Sequence, residues 1–436
     1  MWMAHFALPE IWFGVLFVKV LFVSCQKTIS RRSFLQLTGL TVTCTGLAAC
    51  LTKKKLAATS PAIPISPSPT PIRSEPMLTQ NASNQILMLV GTYTKNLGFV
   101  NGNAKGISAF RLDTSHGELQ FVKENGGIES PAFMAIHPNH KFLYAVNESG
   151  GFVSAFALDA KSGQVTLLNQ QSSQGAAPCF VNIDKTGKLV LISNYSSGNG
   201  LVFPIGADGK LEAASEDIQH KGSGPDKSRQ EGPHAHSIWV DPTNQYALAC
   251  DLGLDKVIVY QLDLTKGKLK SHSEGIVHPG AGPRHLDFHP DGRHIYVINE
   301  IDATISTFNW DGDHGMLDEI QWISTLPEGV TGPKACADVH VHPSGKFVYG
   351  SNRGHDSIAI FSVDETTGKL TSIGHESTRG KTPRNFAIDP TSQYLLAANQ
   401  DSSDIVTFRI DSQSGKLAYL ATTQSPTPVC LKFLIV

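Results

Sequence analysis

The chain is short of charge, of closely spaced cysteines and of long apolar runs. Only 17% of its 436 residues are charged and the formal net charge is −2, so there is no basic footprint for nucleic acid. Of the seven cysteines, Cys25, Cys44 and Cys50 lie near the start; Cys179, Cys250, Cys336 and Cys430 show no C-x-x-C spacing, and three of these four fall on predicted strands. Buried free thiols are the expected state of those four, although pairing in an exported chain stays open. The apolar stretch 11–23 has 13 residues, which is short for a membrane span. No Gly-x-Ser-x-Gly elbow is present, and no paired nucleophile is visible.

What the chain does have is a repeat. A Gly-x-Leu/Val phrase begins at Gly117, Gly163, Gly209, Gly267, Gly315, Gly368 and Gly415, in steps of 46, 46, 58, 48, 53 and 47 residues. Seven copies of a unit of about 50 residues mean a ring or array of small sheets. Within each unit, short runs rich in β-branched and aromatic residues alternate with Gly/Pro/Asn/Asp turns; 133–136, 142–146, 153–158 and 165–168 are one set. Four antiparallel strands per unit make a propeller blade, and the recurring Trp-Asp and Gly-His signature of WD40 repeats is missing. The segment 87–93 matches the second strand of later blades, and 427–436 matches a first strand. One blade is therefore expected to draw on both termini, closing an all-β, seven-bladed β-propeller with no exposed sheet edge. The 39 glycines and 24 prolines suit such a turn-dense fold.

Three regions are expected: an export and lipoprotein signal region at 1–50, a Pro/Ser-rich linker at 51–85, and the propeller at 86–436. Arg31 and Arg32 form a twin-arginine phrase, followed by a weakly apolar stretch and Leu47-Ala-Ala-Cys50, in which Cys50 is the lipidation candidate. The linker is extended and semi-rigid by composition. The reading is an exported protein held outside a membrane by its N-terminal anchor; a cytoplasmic location is the alternative.

Comparing the blades with one another separates architecture from exceptions. The His/Asp at the first turn (His137, Asp184, Asp241, His289, His342, Asp389) recurs and reads as turn chemistry. His342 belongs to that column, so His340 and His342 are not read as a metal pair, and no metal or cofactor is expected. Two columns should ring one mouth of the central channel: Ala132, Cys179, His236, Arg284, Ala337, Arg384, and Glu148, Tyr195, Leu252, Glu300, Arg353, Gln400. The long insertions 217–233 and 324–336 fall on the same face. Three arginines suit phosphate or carboxylate, and two carboxylates and a His suit acid–base work. A salt-bridge ring that closes the channel without a ligand is the competing reading.

Gly175-Ala-Ala-Pro-Cys179, Pro233-His-Ala-His-Ser237, Gly282-Pro-Arg-His285, Tyr349-Gly-Ser-Asn-Arg-Gly-His355 and Gly380-Lys-Thr-Pro-Arg-Asn-Phe386 resemble the seven-bladed lactonase family. That family includes propeller-type bacterial 6-phosphogluconolactonases and fungal carboxy-muconate cyclases, and the resemblance covers residues 86–436. It implies that the catalytic roles of the cyclase branch fall on His236, Arg284, Glu300 and Arg353. The implied activity is hydrolysis of a sugar (phospho)lactone by direct water attack, with Glu300 or His236 as general base and Arg284 or Arg353 stabilising the oxyanion. Arg384 would hold a phosphate or carboxylate tail, with Glu148, His285 and His234 also assigned to substrate binding. His234 precedes the mouth column by two, and His285 is expected behind the front row. The partner is then a small-molecule lactone, and the protein a monomer. Alternatives are a muconate-type lactonizing cycloisomerase and a non-catalytic ligand- or protein-binding propeller at the cell surface.

Overall fold

The computed structural model describes residues 86–436, which contain 28 strands in seven four-stranded antiparallel sheets and no helix. Arg31, Arg32, Cys50 and the linker 51–85 lie outside the described residues. Blade 1 combines the C-terminal strand Pro428–Ile435 with Ile86–Thr92, Gly106–Asp113 and Glu118–Gly126. Blades 2 to 7 follow as 131–172, 178–219, 235–276, 283–324, 335–377 and 383–424. Ile86 pairs with Ile435 and Val90 with Leu431, so the two termini share one sheet as the sequence leads one to expect. Each inner strand packs on the inner strand of the next blade, all the way around the ring.

Burial follows the layering. Second strands such as Leu189–Asn194 and Tyr394–Asn399 are buried at every residue, because neighbouring blades cover both of their faces. The outermost strand, for example Glu118–Gly126, is largely open to solvent. The four cysteines of the ring are buried and free, and all four lie on strands rather than three.

One face of the ring repeats itself closely. Every Gly of the Gly-x-Leu/Val turns has a positive φ, between 61° and 80°, a conformation that a Cβ disfavours. Each also backs onto the preceding blade: a Cβ on Gly368 would lie 2.3 Å from the His294 ring, and one on Gly415 2.5 Å from Phe347. Tyr296 and Tyr349 donate their hydroxyls to the carbonyls of Gly368 and Gly415, each at 2.8 Å. Tyr394 of blade 7 donates to Thr114 O of blade 1 at 3.0 Å, which seals the closure on this face.

The first-turn column is structural here too. Asp184, Asp241 and Asp389 accept from backbone N–H groups of their own turns. His137, His289 and His342 instead donate Nε2–H to carbonyls in the next blade's turn, those of Gly187, Gly345 and Ser392. His289, Asp291 and His294 cluster at one such turn, where hydrogen bonds engage their side chains. His342 is bonded to Ser344 and Ser392, whereas His340 turns to Asp287 and Asp338, so the two histidines do not converge on one point.

Candidate active site

The opposite face is built by irregularity. Five of the seven inner strands open with proline (Pro131, Pro178, Pro283, Pro383, Pro428), which brings no N–H to the ladder. The residues before them, Ser130, Ala177, Gly282, Thr382 and Thr427, all have positive φ. Just inside, every inner strand carries a β-bulge, between Pro131 and Phe133, Pro178 and Phe180, Ala235 and Ser237, Pro283 and His285, Cys336 and Val339, Pro383 and Asn385, and opposite Gly91 and Thr92. The extra residue of a bulge is released from the ladder and its side chain is re-aimed. In six blades it falls at Ala132, Cys179, His236, Arg284, Ala337 and Arg384, the odd column of the sequence, and Val429 completes the ring.

Glu300, at the end of the second strand of blade 5, is the hub of this mouth. Arg284 Nε donates to its Oε2 at 2.9 Å, and Arg353 Nη2 lies 2.6 Å from the same oxygen. Arg229 Nη2 reaches Oε1 from the insertion between blades 3 and 4, and also donates to Tyr195 Oη at 3.3 Å. Arg229 is held in place by its neighbour Gln230, fully buried, whose amide donates to Leu252 O and Asp255 Oδ1. Burial alone would raise the Glu300 carboxyl, but Arg353, Arg284 and Arg229 outweigh it and hold the group well below the usual carboxylate range. Glu300 is therefore an anion fully engaged by guanidinium groups, a poor proton acceptor.

His236 is the opposite case. Burial, then the charge of Arg284, keeps its imidazole well below the ordinary range, so it is neutral at neutral pH. Its Nδ1 lies 4.0 Å from Cys179 Sγ, and among the described residues no hydrogen bond engages Nε2. The nearby thiol is no nucleophile: burial drives the Cys179 pKa far upward, and Sγ donates to His236 O at 3.2 Å. Burial and the neighbouring Arg353 and Arg384 bring Arg284 down to about 10, still protonated at neutral pH.

Arg384 is the arginine without a partner. It makes no hydrogen bond or ion pair among the described residues, and its guanidinium sits 5.6 Å and 5.7 Å from the Tyr93 and Phe99 ring centroids. Burial works against its charge, but Tyr93, Glu148 and Glu300 more than offset this. Beside it, Glu148 accepts the Tyr93 hydroxyl at 2.6 Å. Tyr93, Glu148, Cys179, Arg284, His285 and Arg384 surround a cavity of about 10 Å³, room for one water.

The structure thus brings together His236, Arg284, Glu300, Arg353, Arg384, Glu148 and His285. His285 lies at the base of the cavity: Nδ1–H donates to Asp338 Oδ1 at 2.8 Å, Arg284 Nη1 approaches Nε2 at 3.3 Å, and burial with Arg284 brings its pKa to about 4. His234 does not join them. Its ring stacks on Tyr195 at 4.6 Å, donates Nδ1–H to Tyr195 O and faces Glu231, which makes it part of the insertion collar. The comparison of blades missed Arg229, because its insertion has no counterpart elsewhere in the ring. It missed Tyr93 because the blade built from both termini has no turn between its first and second strands from which to count. The insertions themselves are shorter than expected: Asp217 to Gln219 belong to the outer strand of blade 3, and Cys336 to the inner strand of blade 6.

Residues 87–433 match the family model for lactonases with a seven-bladed β-propeller. The chain belongs to this lactonase family. Among curated relatives, the 6-phosphogluconolactonase of Bacillus subtilis is 38% identical over 348 residues, 79% of this chain and 97% of that protein. A crystal structure of a Bacteroides fragilis protein superposes with a TM-score of 0.75 at 40% identity, covering 83% of this lactonase and all of that chain. The periplasmic gluconolactonase of Pseudomonas aeruginosa superposes with a TM-score of 0.76 at 29% identity, covering 81% of this chain and 100% of that one.

Proposed function

We propose that this lactonase hydrolyses the lactone of a sugar acid at the bulged mouth of its channel, in the manner of a 6-phosphogluconolactonase. Water attacks the ring carbonyl carbon while neutral His236 accepts its proton. Arg284 and Arg353 carry the charge that develops on the carbonyl oxygen. Collapse of the tetrahedral intermediate breaks the bond to the ring oxygen, which takes the proton back from His236. Atoms and charge balance with water as the only co-reactant, and the product is a hydroxy acid. Glu300 fixes the arginines rather than serving as base, so of the two candidates for that role His236 is preferred. Arg384 receives the phosphate or carboxylate tail. The observation that supports this most is the contrast between a neutral His236 and a Glu300 whose oxygens are already engaged.

The leader bears on the substrate. With Arg31 and Arg32 as an export signal and Cys50 lipidated, we propose that the monomeric protein works outside a membrane, tethered by the linker. Among the relatives, a periplasmic gluconolactonase joins a 6-phosphogluconolactonase. Arg384 is a contact separate from the Glu300 cluster, so a plain sugar lactone remains a substrate and a phosphorylated one binds more tightly. The test is hydrolysis of gluconolactone and 6-phosphogluconolactone by the full-length protein, corrected for spontaneous opening. Turnover of both supports the reading; turnover of neither by well-folded protein overturns it in favour of a binding propeller.

A further inference from the structure

The channel has a second cavity, below the site just described. Phe133, Phe180, Trp239 and His285 pack ring to ring across the middle, with centroids 4.4 Å apart for Phe133–Phe180, 4.7 Å for Phe180–Trp239 and 5.3 Å for Phe180–His285. This aromatic layer separates the small upper cavity from a lower one of about 260 Å³, toward the face of the Gly-x-Leu turns. The lower cavity has an apolar wall, in which Val341, Ile388, Leu431 and Phe433 meet the edges of Phe133 and Trp239.

Two cationic side chains enter that wall, and they differ. His340 is satisfied: Nε2 lies 3.3 Å from Asp338 Oδ2 and Nδ1 3.6 Å from Asp287 Oδ2. Lys432 is not. No carboxylate lies within 4.0 Å of its Nζ among the described residues, and the ammonium instead rests 4.7 Å from the Phe133 ring centroid. Asp338, the carboxylate of this lining, is taken by His285, His340 and Asn385, so an ammonium beside an apolar surface with no carboxylate in contact is placed to receive an anion. A largely apolar pocket with a few convergent polar groups is also the usual form of a small-ligand site.

We propose that this lower cavity is a binding site for a small organic monocarboxylate with an apolar body, its carboxylate on Lys432 and its body against Trp239, Ile388 and Phe433. The other polar groups of the lining, Asp338, His340 and Asn385, are bonded to one another or to the backbone. Lys432 and the unpartnered Trp239 Nε1 are left to meet a ligand, too few for a polyhydroxylated acid, so the product of the upper site is not the intended occupant. The proposal stands apart from the chemistry of the upper mouth.

Calorimetric titration of the full-length protein with benzoate tests it, with gluconate as the polar control. Saturable one-site binding is expected, weakened by about tenfold or more in Lys432→Met, the scale of a lost charge-assisted hydrogen bond. Lys432→Arg should restore it, Arg384→Gln should leave it unchanged, and gluconate should not compete. If Lys432→Met does not fold, Lys432→Gln carries the same expectation, and quenching of Trp239 fluorescence gives a second readout. Unsaturable binding, wild-type affinity in Lys432→Met or Lys432→Gln, or loss of binding in Arg384→Gln would each overturn the proposal, the last by moving the receptor to the upper mouth.

Discussion

On the plain face of the ring, seven glycines hold φ between 61° and 80° and back onto the blade before them. On the other face, the seven bulge positions hold Ala132, Cys179, His236, Arg284, Ala337, Arg384 and Val429. Both faces belong to the same 28 strands, so the contrast does not come from the fold. Each blade faces an identical problem at the plain face, to reverse its chain and dock on its neighbour, and one solution serves seven times. At the bulged face each blade releases one side chain from the ladder, and no steric rule dictates which. There residue identity is free to follow a ligand.

Removing the hub of the bulged face should have the largest effect. Glu300→Gln leaves three guanidinium groups around a neutral amide, and breaking a buried ion pair by deleting one partner costs about 3–5 kcal/mol. Thermal unfolding should show that loss, and lactone turnover should fall with it; an unchanged melting temperature would mean that the arginines do not depend on Glu300. Next is Arg384→Gln, which tests the free guanidinium. A hydrogen bond to a charged group is worth about 1.5–3 kcal/mol, so KM for 6-phosphogluconolactone should rise roughly 10- to 100-fold. The value of kcat, and the kinetics on gluconolactone, should change far less.

Gly368→Ala addresses the plain face. Strain at a positive φ costs about 1–3 kcal/mol, and the added Cβ would meet the His294 ring, so the melting temperature should drop. Activity per folded molecule should not change; a selective loss of activity would erase the distinction between the faces. The smallest effect is in pH. Because burial and Arg284 depress the His236 pKa, its active neutral form persists in the free enzyme below the ordinary imidazole value of about 6.5. The acid limb of kcat/KM should therefore lie below that value. An anionic substrate screens the arginines and raises the His236 pKa, so the acid limb of kcat should lie at higher pH than that of kcat/KM.

The legibility of this chain in its sequence follows the same division. The blade count, the closure by both termini and the turn columns could be read because each is repeated, and a repeat supplies its own controls. His236, Arg284, Glu300 and Arg353 could be read because their columns are regular in position while irregular in type. Arg229 could not, since an insertion has no register to compare. The general base could not be read either: Glu300 and His236 are both reasonable bases by residue type, and it took the distances of Arg284 and Arg353 to the Glu300 carboxylate to separate them. Nor did any spacing reveal the aromatic layer that divides the channel, whose four members come from four different blades.

The most direct test of the account is His236→Asn in the full-length protein, with gluconolactone hydrolysis corrected for background and thermal unfolding measured on the same sample. Loss of a general base should lower kcat by roughly 10²–10⁴-fold with the melting temperature held, since among the described residues no hydrogen bond engages His236 Nε2. A variant that unfolds as the wild type does and still opens the lactone at the wild-type rate would contradict the assignment of His236 and, with it, of the bulged face as the seat of the chemistry.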